Sequence, residues 1–334
     1  MRDRVGKFIN DERSSWLDKI DRKVIKALDA NSRTPDSIIA KKLNLSKQLL
    51  KYRIQRLLQN GSIERFYTII NGVKLGYFYL RIYLKFQRIT YEKEDQLIKS
   101  FVKNSFTTWV VQCRGSWDLV VSIYAKDTDH FAHNYQKIVE EFQNNILSKK
   151  VVLMQNVLFS TRDYLSGSEG STGSIYGGIT ENFKIDKIDH SILKQLSKDS
   201  RAKLVDLAKK ANASVDTIKS HIQRMEKTGI IKGHKLTFSY SKLGFLFFIV
   251  QLTLANTSLT ARKKIENYCK SHPNSVYLVN ILGDHDIDLE VEVENQEQLD
   301  LFLRDIKNKF YDIIRDVDVL QITNQYKLDF YPFD

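Results

Sequence analysis

Apolar positions along the chain switch between two periods. Ile20, Val24 and Leu28 recur every four residues, as do Ile188, Ile192 and Leu196, which places each set on one face of a helix. Thr34-Pro35 predicts the next helix start, Thr as N-cap and Pro at the first helical position, with Ile39 and Leu43 facing inward. Asn44-Leu45-Ser46 is then a short turn. A third helix follows, with Leu50, Ile54 and Leu57 inward and Gly61 as a left-handed C-cap. The same pattern returns at Ser214, Ile218, Ile222, Met225 and Gly229. Helix, short turn, helix is the arrangement whose last helix can enter a major groove.

Beyond Gly76 the period drops to two. Phe78, Leu80, Ile82, Leu84 and Phe86 face one way and Tyr79, Arg81, Tyr83 and Lys85 the other, so Tyr77–Arg88 reads as a strand. A helix is expected over 91–103, strands over 108–114 and 118–125, a helix over 129–146 and a strand over 150–159. That order, βαββαβ, is ferredoxin-like.

The chain repeats itself at an offset of 168. Asp18-Lys19-Ile20-Asp21 matches Asp186-Lys187-Ile188-Asp189, Ile54-Gln55-Arg56 matches Ile222-Gln223-Arg224, and Lys74-Leu75-Gly76 matches Lys242-Leu243-Gly244. Roughly 22 of 60 ungapped positions are identical, which marks a duplicated unit. Ser166–Ser174, rich in Gly and Ser, reads as a flexible linker. The expected fold class is therefore α+β, a tandem duplication of a winged helix-turn-helix domain followed by a ferredoxin-like βαββαβ domain. The expected boundaries are a tail at 1–16, a helix-turn-helix domain at 17–72 and a ferredoxin-like domain at 73–165. A linker at 166–182 precedes the second pair of domains at 183–240 and 241–334.

Composition narrows the function. The 334 residues carry a formal net charge of +12, with 42% hydrophobic residues and two cysteines. That excludes wholesale disorder, a disulfide framework and a Cys-rich zinc site. The longest apolar stretch, Leu243–Leu254, is too short to span a bilayer. Met1-Arg2-Asp3-Arg4 is followed by no apolar run, so no secretory leader is expected and a cytoplasmic setting is the simplest reading. The charge is lopsided: 29 basic residues stand against 17 acidic ones up to residue 168, and 23 against 23 after it. The excess belongs to the first repeat and points to nucleic acid there.

The residues then become specific. Leu17-Asp18-Lys19-Ile20-Asp21, Leu45-Ser46 with Arg53-Ile54-Gln55-Arg56-Leu57, Gly229-Ile230-Ile231-Lys232-Gly233, Lys74-Leu75-Gly76 and the Gly115-x-x-Asp118 hairpin resemble the Lrp/AsnC family of transcription regulators, twice over. The resemblance implies double-stranded DNA as partner, an amino-acid-like small effector and a C-terminal domain for dimerisation. The duplication departs from the family pattern, and implies that one chain supplies an intrachain pseudo-dimer, with homo-oligomers built on it.

On that reading Ser46, Lys47, Gln48, Lys51, Tyr52, Gln55 and Arg56 are the candidate DNA contacts of the first repeat, because Gln pairs with adenine and Lys with guanine or phosphate. A solvated basic face is the alternative, and Arg53 and Arg56 suit structural ion pairs equally well. In the second repeat Lys219 and Arg224 are the candidates, opposed by Asp216 and Glu226, with Val215 and Asp216 replacing Lys47 and Gln48. The second reading head is expected to bind more weakly or to be structural. The tail at 1–16 reads as a disordered end or a groove-binding arm.

Candidate effector contacts are Gly115, Trp117 and Asp118, with Gly283, His285 and Asp286 in the second repeat; a plain turn is the competing reading. The run Asp284, Asp286, Asp288, Glu290, Glu292, Glu294 lines one face of a strand. It fits solvated polarity, a cation site, or a charged interface with Arg81 and Lys85, whose counterparts Ile249 and Thr253 are uncharged. His130 and His133 lack the partners of a metal site, Cys113 and Cys269 are not repeat equivalents, and no hydrolase, metalloprotease or phosphate-loop motif occurs. No catalytic residue, metal or cofactor is expected. One enzymatic class, the siroheme decarboxylases, is similar in architecture and binds a tetrapyrrole; Trp117-Asp118-Leu119 departs from the Asn-Leu-Trp type sequence that distinguishes it. A protein-interaction scaffold with vestigial helix-turn-helix domains is the remaining reading.

Overall fold

A computed structural model of the chain describes residues 17–165, 174–178, 182–331 and 333. The proposed tail and the first part of the proposed linker lie outside the described residues. The first repeat runs α1 (Lys19–Ala30), α2 (Asp36–Lys42), α3 (Lys47–Gln59) and β1 (Ile63–Ile70), then β2 (Phe78–Phe86), α4 (Tyr91–Lys103), β3 (Thr107–Arg114), β4 (Leu119–Ala125), α5 (Thr128–Val139) and β5 (Ile146–Phe159). A short strand, β6 (Ser174–Gly177), follows. The second repeat supplies α6 (Lys187–Leu196), α7 (Leu204–Ala211), α8 (Val215–Lys227), β7 (Ile231–Phe238), α9 (Tyr240–Leu243), β8 (Leu246–Leu254), α10 (Leu259–Ser271), β9 (Ser275–Leu282), β10 (Ile287–Val293), α11 (Gln296–Lys309) and β11 (Ile314–Leu328).

Three expectations are corrected in detail. Thr34 makes no cap: α2 begins at Asp36 with Pro35 as its N-cap and no side-chain cap bond. The helix expected to reach Ile146 ends at Val139; a 3-10 turn over Glu140–Asn145 lets β5 start at Ile146, where Ile146 pairs with Phe86 of β2. The linker is not wholly coil, because β6 pairs with the end of β5 from Asn156 to Phe159. The helix-turn-helix corner is tighter than a simple polar turn. Asn44 and Asn212, equivalent residues, both adopt positive φ, a conformation Asn tolerates better than most side chains.

The two repeats are interwoven. The strands of the ferredoxin-like parts run β2-β4-β3-β11-β8-β10-β9-β5 and the ladder closes on itself. β5 pairs with β2 through its first half and with β9 through its second; β11 pairs likewise with β8 and then β3. Each last strand therefore leaves its own sheet and completes the other one. Outside the barrel, Leu97, Ile98 and Phe101 of α4 join Ile82 and Leu84 in one core, and Ile265 of α10 with Phe302 and Ile306 of α11 join Val250 and Leu252 in a second. Inside the barrel, buried Arg81, Gln251, Asp288 and Glu290 sit among apolar residues such as Val111, Ile249 and Val279, and a single ferredoxin-like sheet cannot bury such charges unaided.

The heads are joined as well. β1 and β7 form an antiparallel ribbon, Tyr67 opposite Lys235. Ser32 and Ser200, equivalent residues, share a 2.6 Å hydroxyl hydrogen bond, so the pseudo-two-fold axis passes between them. Arg33 donates to the Ser200 and Ala202 carbonyls and Arg201 donates to the Ser32 carbonyl. The two reading heads are held as one body.

Candidate nucleic-acid interface

In the first head, Ser46 caps α3 by accepting from the Leu49 N–H, and Leu50, Ile54 and Leu57 are buried against Val24, Ile25, Leu28 and Ile39. That packing leaves Lys47, Gln48, Lys51, Tyr52 and Gln55 exposed together on the outer face, with Ser46 at its start. No acidic residue lies on α3, so phosphate meets only attraction there. Arg53 and Arg56 have a different task. Arg53 pairs with Asp18 at 2.7 Å and Asp21 at 2.8 Å, and Arg56 pairs with Asp21. They clamp α3 to the capped start of α1, where Asp18 and Asp21 form a capping box. Arg56 remains partly exposed.

In the second head Ser214 caps α8 by accepting from the Thr217 N–H, and Lys219 is exposed. Arg224 again clamps the helix to Asp189. Here His221 replaces Arg53, and its Nδ1 lies 2.8 Å from Asp189. Asp186, Asp189 and His221 thus bring three donor atoms within 4.8 Å, with Arg224 already engaged on Asp189. Exposed Asp216 and Glu226 share α8 with Lys219, so this face is mixed in sign.

Between heads and barrel sits a buried charge cluster that the sequence pattern only half revealed. Of the readings open for the acidic strand, simple solvation fails: Asp288, Glu290 and Glu292 are all buried. Arg81 donates to Asp288 at 2.7 Å and to Glu290 at 3.0 Å, and Tyr83 donates to Asp288. Arg81 thus meets the acids across the two sheets, whereas Lys85, the other base considered for that interface, pairs with Asp118 of its own repeat. Arg162, in the segment after β5, has no local sequence pattern to mark it. It grips Glu292 through Nε at 2.8 Å and Nη2 at 3.0 Å and also pairs with Asp29 of α1, which Lys235 of β7 reaches at 3.1 Å. Tyr164 and Tyr240 also donate to Glu292. The first head, the ribbon and the second barrel half thus meet on one guanidinium.

Burial works to raise the Asp29 carboxyl, but Arg162 and Lys235 outweigh it and its pKa is lowered. Asp288 is likewise held well below the usual range, His285 and Arg81 overcoming its burial. Glu290 goes the other way: burial raises it despite Arg81. A detectable signal existed for the whole cluster. The counterparts of Arg81, Asp288, Glu290, Glu292, Arg162, Asp29 and Lys235 are Ile249, Val120, Ser122, Tyr124, Phe330, Ser197 and Tyr67, none charged like its partner. Charge present in one repeat and missing in the other marks contacts made between repeats.

The two hairpins come together at the end of the barrel lying away from the heads. The Tyr83 ring lies 5.9 Å from Trp117 and 5.6 Å from His285. Asp118 accepts from the Phe86 N–H and pairs with Lys85 at 2.9 Å; Asp286 accepts from the Leu254 N–H and pairs with Arg262 at 2.6 Å. These bonds occupy both carboxylates structurally. His285 is buried on Asp288. Gly115, at φ +135°, sits where a Cβ would meet the Val319 carbonyl at 2.8 Å, and a Cβ on Gly283 would meet Val152 at 2.6 Å. Close approach of each hairpin to the other repeat's last strand explains both glycines.

A family profile described as winged helix-turn-helix DNA-binding matches residues 17–64 and 185–232, one match per head. The HTH-type transcriptional regulator FL11 of Pyrococcus abyssi is 31% identical over 113 residues, covering 34% of this chain and 74% of that protein. The chain belongs to the Lrp/AsnC family of helix-turn-helix transcriptional regulators. The HTH-type transcriptional regulator LrpC of Bacillus subtilis is a further relative, 29% identical over 121 residues, 36% of this chain and 82% of LrpC. Each relative spans about one repeat of this Lrp/AsnC chain. A solved structure of the siroheme decarboxylase NirDL covers 95% of both chains at a TM-score of 0.62 and 11% identity, a likeness of fold. Among the described residues no helix is long and apolar enough to cross a membrane.

Proposed function

We propose that this Lrp/AsnC chain is a sequence-specific DNA-binding regulator in which the first head carries most of the affinity. The supporting observation is the exposed, acid-free face of α3, where Lys47, Gln48, Lys51, Tyr52 and Gln55 lie together, against the mixed face of α8. Lys47 and Lys51 neutralise phosphate, and Gln48 and Gln55 read base edges. Lys219 adds a weaker contact, and Arg224 acts mainly as a clamp. The ribbon and the Ser32–Ser200 contact fix the spacing of the heads, so an effector acts by shifting a body rather than a loose domain. The hairpins Gly115-Ser116-Trp117-Asp118 and Gly283-Asp284-His285-Asp286 remain the proposed effector-proximal face, with Trp117 and the rim rather than the two engaged carboxylates making the contact. Selection of bound fragments from random duplex DNA tests the reading: wild type should enrich one motif, and Lys47→Glu with Lys51→Glu should enrich none.

The fold shared with NirDL supports a second reading, a tetrapyrrole enzyme. The partly open cavity between ribbon and barrel is 40 Å³, room for about three waters. A macrocycle therefore requires the ribbon to move. Soret absorbance after incubation with an iron tetrapyrrole separates this reading from the regulator.

A further inference from the structure

The cavity between the β1–β7 ribbon and the mouth of the barrel is closed in by eight aromatic rings, among them Tyr67, Tyr79, Trp109, Tyr240, Tyr277 and Phe330. Two features show that it is more than a packing gap. The Thr237 hydroxyl, on a residue only 6% exposed, lines it and has no hydrogen-bond partner. A buried orphan hydroxyl costs free energy unless something supplies a partner. Glu290 also lines it.

The charge balance around the cavity is uneven. Around it Arg81, Arg162, Lys235 and His285 meet four carboxylates, Asp29, Asp288, Glu290 and Glu292. Asp29 has two cationic partners, Glu292 has a bidentate one, and Asp288 has Arg81, Tyr83, Gln251 and His285. Glu290 shares a single Arg81 nitrogen at 3.0 Å. The carboxylate that faces the cavity is therefore the least compensated of the four, and burial raises its pKa. Both guanidiniums on the wall are engaged by protein carboxylates through both terminal nitrogens.

A carboxylate with a single cationic contact, an orphan hydroxyl and aromatic faces form the chemistry that receives a small ammonium group. We infer that this cavity is a binding site for a small cation of the ammonium or short alkylammonium class, held by Glu290 and Thr237 against the aromatic walls. The 40 Å³ of space, room for about three waters, sets the upper size. The site lies apart from the hairpins and does not rest on the DNA reading. Its floor is the barrel and its roof is the ribbon that carries both heads, so filling it stiffens their junction.

The test uses the full chain. Ammonium chloride and methylammonium chloride are titrated at constant ionic strength, with sodium, potassium and tetraethylammonium chlorides and sodium acetate as controls. Readouts are the thermal midpoint and tryptophan emission, Trp109 being in the wall. Ammonium and methylammonium should raise the midpoint and shift emission saturably, and the other salts should not. Glu290→Gln should weaken binding about tenfold or more, as expected for loss of one hydrogen bond to a charged group. Thr237→Val, which touches no ion pair, gives the same direction if the glutamine variant fails to fold. No saturable response in wild type, an equal response to acetate, tetraethylammonium or potassium, or unchanged binding in both variants would overturn the inference.

Discussion

Replacing Arg162 by Met removes the charge and keeps much of the side-chain volume. Arg162 is 4% exposed, and Asp29 and Glu292 are fully buried, so no water compensates either carboxylate once the guanidinium is gone. Asp29 keeps Lys235, while Glu292 keeps only the hydroxyls of Tyr164 and Tyr240. One buried carboxylate is left without a cation, a defect that costs about 3–5 kcal/mol. Unfolding 334 residues at about 2.1 cal/mol/K per residue gives an entropy near 0.7 kcal/mol/K, so the midpoint should fall by roughly 4–7 °C. The pH dependence adds a sign. Asp29 has a lowered pKa in the folded state, so its stabilisation is complete above the ordinary carboxylate range and is lost as pH falls through the folded value. Wild type should therefore lose stability below about pH 4, and the gap to Arg162→Met should narrow there. Adding Glu292→Gln to Arg162→Met should recover part of the loss. Calorimetry at pH 7 and pH 4 measures all of this. A loss below about 1 kcal/mol, or a gap that stays constant with pH, would refute the cluster as the junction of head and barrel.

Other consequences are simpler to read. Burial pushes the Cys113 and Cys269 thiols up to about 12, so neither should react with a thiol reagent at pH 8 until the protein unfolds. Gly115→Ala should cost roughly 1–3 kcal/mol through overpacking against the Val319 carbonyl and strain at positive φ, measured by denaturant unfolding. His234, buried between Thr68 and Glu226, has a lowered pKa because burial disfavours its charged form. The unfolded chain binds that proton first, so stability should fall as pH drops below about 6.5, and His234→Asn should flatten that part of the profile.

Much of this was legible in the residues because the duplication printed each element twice. The stripe Leu50, Ile54, Leu57 and its copy Ile218, Ile222, Met225 set both reading helices, and the period-two run at 78–86 set β2. Element ends were less visible, since Asp36 rather than Thr34-Pro35 opens α2, and since β5 begins where pairing with β2 begins rather than where helical periodicity fades. The acids of β10 looked solvated because alternation with Ile287, Leu289 and Val291 is also the pattern of a half-exposed strand. Only the arrival of a second sheet carrying Arg81 buries them. Arg162 was invisible for a related reason: its two carboxylates lie more than a hundred positions away on either side, and no local period points to it.

The central claim is that one chain presents two unequal DNA-reading heads. Its most direct test is fluorescence anisotropy on a duplex carrying the selected motif, at several salt concentrations, with wild type, Lys47→Glu plus Lys51→Glu, and Lys219→Glu. The account predicts that the double change in the first head abolishes specific binding, while Lys219→Glu weakens it modestly and lowers the salt slope by about 0.9, one phosphate contact. Equal losses from the two heads, or wild-type binding that ignores salt, would contradict it.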